Sequence, residues 1–163
     1  MLWWPGNVCG FTELRDGRVL VFGGLMHLGI VISYITVADD NSLHIVYSYD
    51  QLRGRAYPAD RPALPVTHIL EDPARGTLTV FAYSEVFECN RTFQDWRKIA
   101  TLDLDDEPGH SDAVRTIHRI GDAFVIATSL NGYQSLHGAK QVSHSFDNVP
   151  TGLSAEPHEP PAP

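Results

Sequence analysis

The sequence predicts an all-β fold of antiparallel sheets, arranged as about three propeller-like blades in an incomplete or open ring. Three observations carry that prediction. Runs rich in β-branched and aromatic residues follow a turn-forming residue four times: GRVLVFGG from Gly17, NSLHIVYS from Asn41, GTLTVFAYS from Gly76 and GDAFVIATS from Gly121. They have the length and composition of strands. A five-residue pattern of hydroxyl, aromatic, two polar residues and a closing apolar residue recurs at Ser48–Leu52, Thr92–Trp96 and Ser145–Val149, its leading residues 44 and 53 positions apart. Intervals of that size match a four-stranded blade. Sustained helical spacing is missing; Ser129 to His137 is too rich in Gly, Asn and Ser to form a helix.

The opening, MLWWPGNVCG, has no basic segment followed by a long apolar run. No signal peptide is read there, and a cytoplasmic location is expected. Trp3 and Trp4 are placed to cap an open sheet or to meet another chain. Asp16-Gly17 forms the first turn. Val19–Ala38 then holds twenty residues without Asp, Glu, Lys or Arg, the length of a bilayer-spanning helix. The preferred reading is two buried strands with a turn at Gly23-Gly24, because Val19, Val21, Ile30, Val31, Ile32, Ile35, Thr36 and Val37 are β-branched. Asp39-Asp40-Asn41, the stretch 71–76 and Ile120-Gly121 mark further hairpin turns. Within the run from Asn41, His44 matches Thr79 of the run from Gly76, a position read as packing or surface. Pro58, Pro62 and Pro65 exclude a long strand from 52 to 65. One β-rich domain is expected over 1–149, with repeats at about 11–62, 66–103 and 114–149. The stretch 150–163, PTGLSAEPHEPPAP, holds five prolines in fourteen residues and reads as a flexible Pro-rich tail.

The 163 residues suffice for one domain with a real core, and 43% hydrophobic with 20% charged residues is a globular composition. The formal net charge is −8 and the only lysines are Lys98 and Lys140. Nucleic acid demands a positive field, so it is excluded as a partner. Cys9 and Cys89 stand far apart with no second thiol nearby; they are read as buried small hydrophobes or free thiols, with a single disulfide as the alternative. Asn90-Arg91-Thr92 fits the glycosylation pattern, which matters only in a secreted chain.

The blade-sized repeat with its hydroxyl-and-Asp corner resembles sialidase-like Asp-box propellers and the five-bladed propellers of carbohydrate-active enzymes. The residues carrying the resemblance are Ser48 with Asp50, Thr92 with Asp95 and Trp96, and Ser145 with Asp147. The run from Phe124 to Tyr133, a strand ending in Ser before a polar turn and an aromatic, adds to it, and the likeness covers roughly 12–149. No copy keeps both the Gly and the Trp of the Asp-box pattern S-x-D-x-G-x-x-W. The resemblance implies that these residues are structural corners. A sialidase-like activity would imply three arginines, a tyrosine–glutamate pair and an acid/base aspartate, and local motifs place none of them. Three blades do not make the usual closed ring. The domain is then a piece of a larger propeller, an oligomerising unit with an apolar face open at each end, or a β-sandwich of recurring hairpins.

Glycoside hydrolysis needs two carboxylates across the scissile bond. Glu85, Glu88, Asp95 and Asp112 are the catalytic candidates, with Asp16 and Asp72 added by abundance. Asn131, Tyr133 and Gln134 combine an aromatic with amides and are the ligand-binding candidates. Asp103, Asp105 and Asp106 could offer oxygens to Ca²⁺, but EF-hand spacing is missing, and His110 with Asp112 lacks a zinc partner motif; no metal is expected. No nucleotide motif or other cofactor is indicated. The preferred function is a non-catalytic β-repeat module for protein interaction or structural support, binding a protein partner or itself through its open sheet ends. The first alternative is a glycan-binding or glycoside-hydrolase-like domain; the second is a membrane-anchored protein spanning through 19–38.

Overall fold

The computed structural model describes residues 7–39, 42–104, 106–107, 110–111, 113–129, 132–137 and 140–144. Strands β1 (Asn7–Glu13), β2 (Val19–His27), β3 (Ile30–Asp39) and β4 (Ser42–Asp50) form sheet I, in sequence order. A 3-10 turn at Gln51–Arg53 and an irregular connection lead to sheet II: β5 (Val66–Asp72), β6 (Thr77–Ala82), β7 (Glu85–Asn90) and β8 (Arg97–Thr101). A two-stranded pair, β9 (Asp106–Glu107) with β10 (His110–Ser111), precedes sheet III: β11 (Val114–Ile120), β12 (Ala123–Thr128), β13 (Tyr133–His137) and β14 (Lys140–His144). Every pairing is antiparallel. The chain is therefore all-β, in three four-stranded meanders, and no sheet closes into a barrel among the described residues.

The first hairpin of each sheet carries the same irregularity. One extra residue, Cys9, Thr67 or Arg115, bulges from the first strand. Aligned on that bulge, Phe22, Phe81 and Ala127 are equivalent, and so are their neighbours Val21, Val80 and Ile126. Successive strand residues point to opposite faces, and the two cores obey this alignment. Leu20 and Phe22 of sheet I meet Leu78, Val80 and Ala82 of sheet II in one core. Phe81 and Val86, on the other side of sheet II, meet Phe124, Ile126 and Leu136 of sheet III in a second. Each sheet thus turns its Val21-type row to the preceding sheet and its Phe22-type row to the following one. Sheet II is covered on both faces, and Phe81, Phe87, Leu78, Val80 and Val86 are all fully buried.

The segment 19–38 is two strands, as its β-branched content predicts, and not a spanning helix. Among the described residues no helix is long and apolar enough to cross a membrane. The expected turn at Gly23-Gly24 is corrected: both glycines lie inside β2, and the chain reverses at Leu28-Gly29, with φ of 50° and 77°. Close approach explains the glycines. A Cβ on Gly23 would lie 2.0 Å from the Asn7 carbonyl oxygen, and one on Gly24 2.1 Å from that of Ile32.

A second correction concerns the recurring strand. The runs from Gly17, Gly76 and Gly121 are the second strands β2, β6 and β12, but the run from Asn41 is β4, the outer strand of sheet I. His44 and Thr79 are accordingly not equivalent. His44 is exposed and hydrogen-bonded to Ser42 (2.8 Å), whereas Thr79 is buried.

Candidate functional site

Among the described residues the stacking rule leaves one face of sheet I without a sheet against it; Trp3 and Trp4, read as a cap for an open sheet, lie outside them. Cross-strand register places Phe11, Val21, Thr36 and Ile45 in one row, and Glu13, Val19, Ala38 and Leu43 in the next. Phe11 is 77% exposed, Ile45 60% and Leu43 42%, with Val8 at 47% beside Gly23. Val19, Val21 and Ala38 are half-buried between them, and Glu13 stands at the rim. The equivalent row of sheet II, Leu78, Val80 and Ala82, is fully buried against sheet I. Solvent-exposed apolar rows of this kind mark contact surfaces.

The outward face of sheet III has different chemistry. Its rows are His118, Val125, Ser135 and Val142, then Thr116 with Ala127 and Tyr133, then Ile120, Ala123, His137 and Lys140. Strand β11, VRTIHRI, sets Thr116, His118 and Ile120 on this outward face, while Ile117 and Arg119 turn toward sheet II. Strand β2 instead runs VLVF, apolar on both sides, which is the pattern of a strand covered on both faces. The sequence of sheet I is written for two-sided burial, and among the described residues a sheet covers one side.

Two concavities lie apart from both outer faces. A groove of about 510 Å³ runs between β4, the 55–61 segment and the β7–β8 loop. Tyr47 and Trp96 form its wedge, with ring centroids 4.9 Å apart and planes inclined by 48°. The hydroxyls of Tyr47 and Tyr49 donate to the Pro62 and Arg55 carbonyls, and the Trp96 indole N–H donates to the Phe93 carbonyl (2.8 Å). Burial pushes the Tyr47 phenol far above its ordinary range. A cleft of about 370 Å³ opens between sheets II and III. Its arginines are engaged: Arg97 with Glu88 (2.7 Å), Arg119 with Asp72 (2.6 Å), and Arg75 more loosely with Asp72 and Asp122 (3.7 and 3.6 Å). The Arg119 hydrogen bond holds the Asp72 carboxyl below its ordinary range.

The structure separates the acidic candidates. Glu85 and Glu88 are three residues apart on β7 and point to opposite sides of sheet II. Glu85 takes Lys98 (2.6 Å) and the Tyr57 hydroxyl (3.2 Å), and Glu88 takes Arg97. Asp95 sits in the β7–β8 loop at φ 54°, accepting from Asn90 Nδ2 (2.7 Å). Asp16 pairs with Arg18 in the first turn (2.9 Å). Asp112, Asn131 and Asp105 lie outside the described residues. Tyr133 and Gln134 occupy opposite faces of β13; Gln134 is 3% exposed and donates to the Asp103 carbonyl. Asp103 is exposed in the connection after β8, and Asp106 begins β9. Among the described residues no three metal-ligating side chains gather. Cys9 is an exposed free thiol; Cys89 is a buried one, which burial pushes up to about 12.

The five-residue corners occupy different places. Thr92–Trp96 joins β7 to β8, whereas Ser48 and Tyr49 end β4 and Asp50 caps the 3-10 turn, accepting from the Leu52 N–H (2.9 Å). Ser145 and Asp147 lie outside the described residues. The pivot of the Thr92 corner is Asn90, just before the pattern. Its Oδ1 accepts from Thr92 N, Thr92 Oγ1 and Gln94 N at 2.7–3.0 Å, while Phe93 and Trp96 turn inward. Sequence reasoning passed over Phe11, Leu43 and Ile45. The signal that could have found them is the same-side apolar spacing in the first, second and fourth strands of sheet I.

Compared with protein-family models, curated proteins and solved structures, the chain matches none.

Proposed function

We propose that the protein is a β-repeat interaction module whose sheets act as propeller-like blades, and that the open face of sheet I docks a second copy of the chain. The exposed row of Phe11, Val21 and Ile45 carries this reading. It is the counterpart of rows that bury themselves wherever a neighbouring sheet is present. Removing such a surface from water contributes about 25 cal/mol per Å² of apolar area. A head-to-tail contact would set it against the His- and Lys-bearing face of sheet III, leaving polar groups without water. A twofold contact of sheet I with sheet I matches apolar rows with apolar rows, and closed twofold dimers are the commonest assembly. Two sheets packed this way lie about 10 Å apart.

Sedimentation velocity over a concentration series tests the proposal. The expected result is a reversible dimer with a micromolar dissociation constant, about −8 kcal/mol. Ile45→Lys should shift the chain to monomer while its circular dichroism and melting temperature stay within error, because Ile45 lies outside both cores. A wild-type chain that stays monomeric at the highest soluble concentration, or a dimer indifferent to Ile45→Lys, overturns it.

A further inference from the structure

At one position the two inter-sheet cores are built differently. Two residues before the equivalent Phe22 and Phe81, sheet I carries Leu20 and sheet II carries Thr79. Leu20 is fully buried in the first core, and its cross-strand neighbour Val37 packs against that core. The same row of sheet II reads Thr79 and Glu88, and both line the cleft of about 370 Å³ beside sheet III. Thr79 is 5% exposed, and its hydroxyl bonds none of the described residues. Packing alone favours an aliphatic side chain there, as in sheet I, because a buried hydroxyl without a partner is unfavourable. The change from Leu and Val to Thr and Glu gives up core for a polar hollow, and its volume is within the range of small-molecule sites.

The charged groups of the cleft are half used. Arg97 sets Nε and Nη2 on one oxygen of Glu88, Oε1 (3.1 and 2.7 Å), so that Glu88 Oε2 takes no bond from a described residue. Arg75 is 61% exposed and lies 3.7 and 3.6 Å from oxygens of Asp72 and Asp122, beyond hydrogen-bonding reach. Its N–H donors are therefore available. The charges balance: Arg75, Arg97 and Arg119 face Asp72, Glu88 and Asp122, and Lys98 is held by Glu85. An anion would meet three carboxylates, and a cation would meet three guanidinium groups. A neutral polyol would leave the Arg75 guanidinium and the free Glu88 oxygen without an opposite charge. A zwitterion answers both. Its carboxylate can take parallel bonds from Arg75, its ammonium can donate to Glu88 Oε2, and the Thr79 hydroxyl can donate to the one or accept from the other. We infer that the cleft between sheets II and III binds a small zwitterion, an amino acid or short peptide with both ends free, its carboxylate on Arg75 and its ammonium on Glu88.

Amide spectra of the full-length chain titrated with dialanine test this. The amides of Thr79, Glu88 and Arg97 should shift saturably, with a dissociation constant of about 1 mM. Dialanine amide, which lacks the carboxylate, and N-acetyl-dialanine, which lacks the ammonium, should each bind about tenfold more weakly, the scale of one charge-assisted bond. Arg75→Gln should weaken dialanine to the level of its amide and leave the amide's own affinity unchanged. Thr79→Leu, which restores the residue of sheet I, should abolish binding without lowering the melting temperature. No saturation by dialanine, equal affinity for either blocked form, or an Arg75→Gln variant that still prefers dialanine to its amide would each overturn the inference. Tighter saturation of the same amides by maltotriose or by inorganic phosphate would overturn it as well, in favour of a polyol or an anion.

Discussion

His68 shows how one side chain ties stability to pH. It follows the bulge of β5, and its ring hydrogen-bonds the backbone of Arg115, the bulged residue of β11. Its Nδ1 is buried with no hydrogen-bond partner, so a proton there would be uncompensated. Burial accordingly holds its pKa below the ordinary value near 6.5. The unfolded chain therefore binds the proton first. The neutral-ring contribution is complete above about pH 6.5 and declines as the pH falls from there toward the lowered folded value. Denaturant midpoints measured from pH 7.5 to 5 should fall for the wild type, and His68→Gln should flatten that slope. A slope unchanged in the variant would assign the acid sensitivity to other groups. The glycines of β2 make a complementary residue-scale point. A glycine pair can mean a turn or a close approach, and composition alone does not separate the two. Gly24 has the Ile32 carbonyl and Pro65 crowding the site of a Cβ, and that crowding is tertiary.

Strands were legible because β-branched and aromatic runs behind Asp-Gly or Gly turns have few other outcomes. The runs from Gly17, Gly76 and Gly121 became the matching strands β2, β6 and β12. The run from Asn41 did not, since an outer strand and a second strand share composition and differ only in what lies beside them. The Thr92 corner was legible as a turn with an inward aromatic, but its pivot, Asn90, sits two residues ahead of the pattern. The β2–β3 turn was hidden because Leu28 does not announce a left-handed residue. Leu28 has φ 50° and is 87% exposed, followed by Gly29 at φ 77°. Asn tolerates that conformation better and Asn-Gly suits the turn. Leu28→Asn should therefore stabilise the protein by about 0.5 kcal/mol, read as a higher urea midpoint at unchanged slope. A lower midpoint would show that the Leu28 side chain contributes something besides geometry.

At the scale of the molecule, sheet II holds the other two, one on each face. Phe81 lies at the centre of the second core, edge-on to Phe124 with centroids 5.7 Å apart. Phe81→Ala should cost about 3–5 kcal/mol. The loss should be local, because the first core does not contain Phe81. Hydrogen exchange should lose protection in β11–β13 first, while β2, β3 and β6 stay protected. Uniform loss across all three sheets would mean that the stack unfolds as one cooperative unit. The free face of sheet I was legible only in part. Open apolar ends follow from counting three repeats, but which end is greasy and which is wet depends on the bulge that sets the facing of every strand.

The polar residues that β11 turns outward matter beyond sheet III. Thr116 and His118, with Lys140 on β14, wet the back of the array between the exposed Ile120 and Val142, whereas β1, β2 and β4 give it a more continuous oily front. Units with one adhesive side run out of valence after a single union. Fibre growth would require the hydrated back to become adhesive as well, so replacing polar residues there by aliphatic ones is the change that would convert a self-limiting couple into an endless chain.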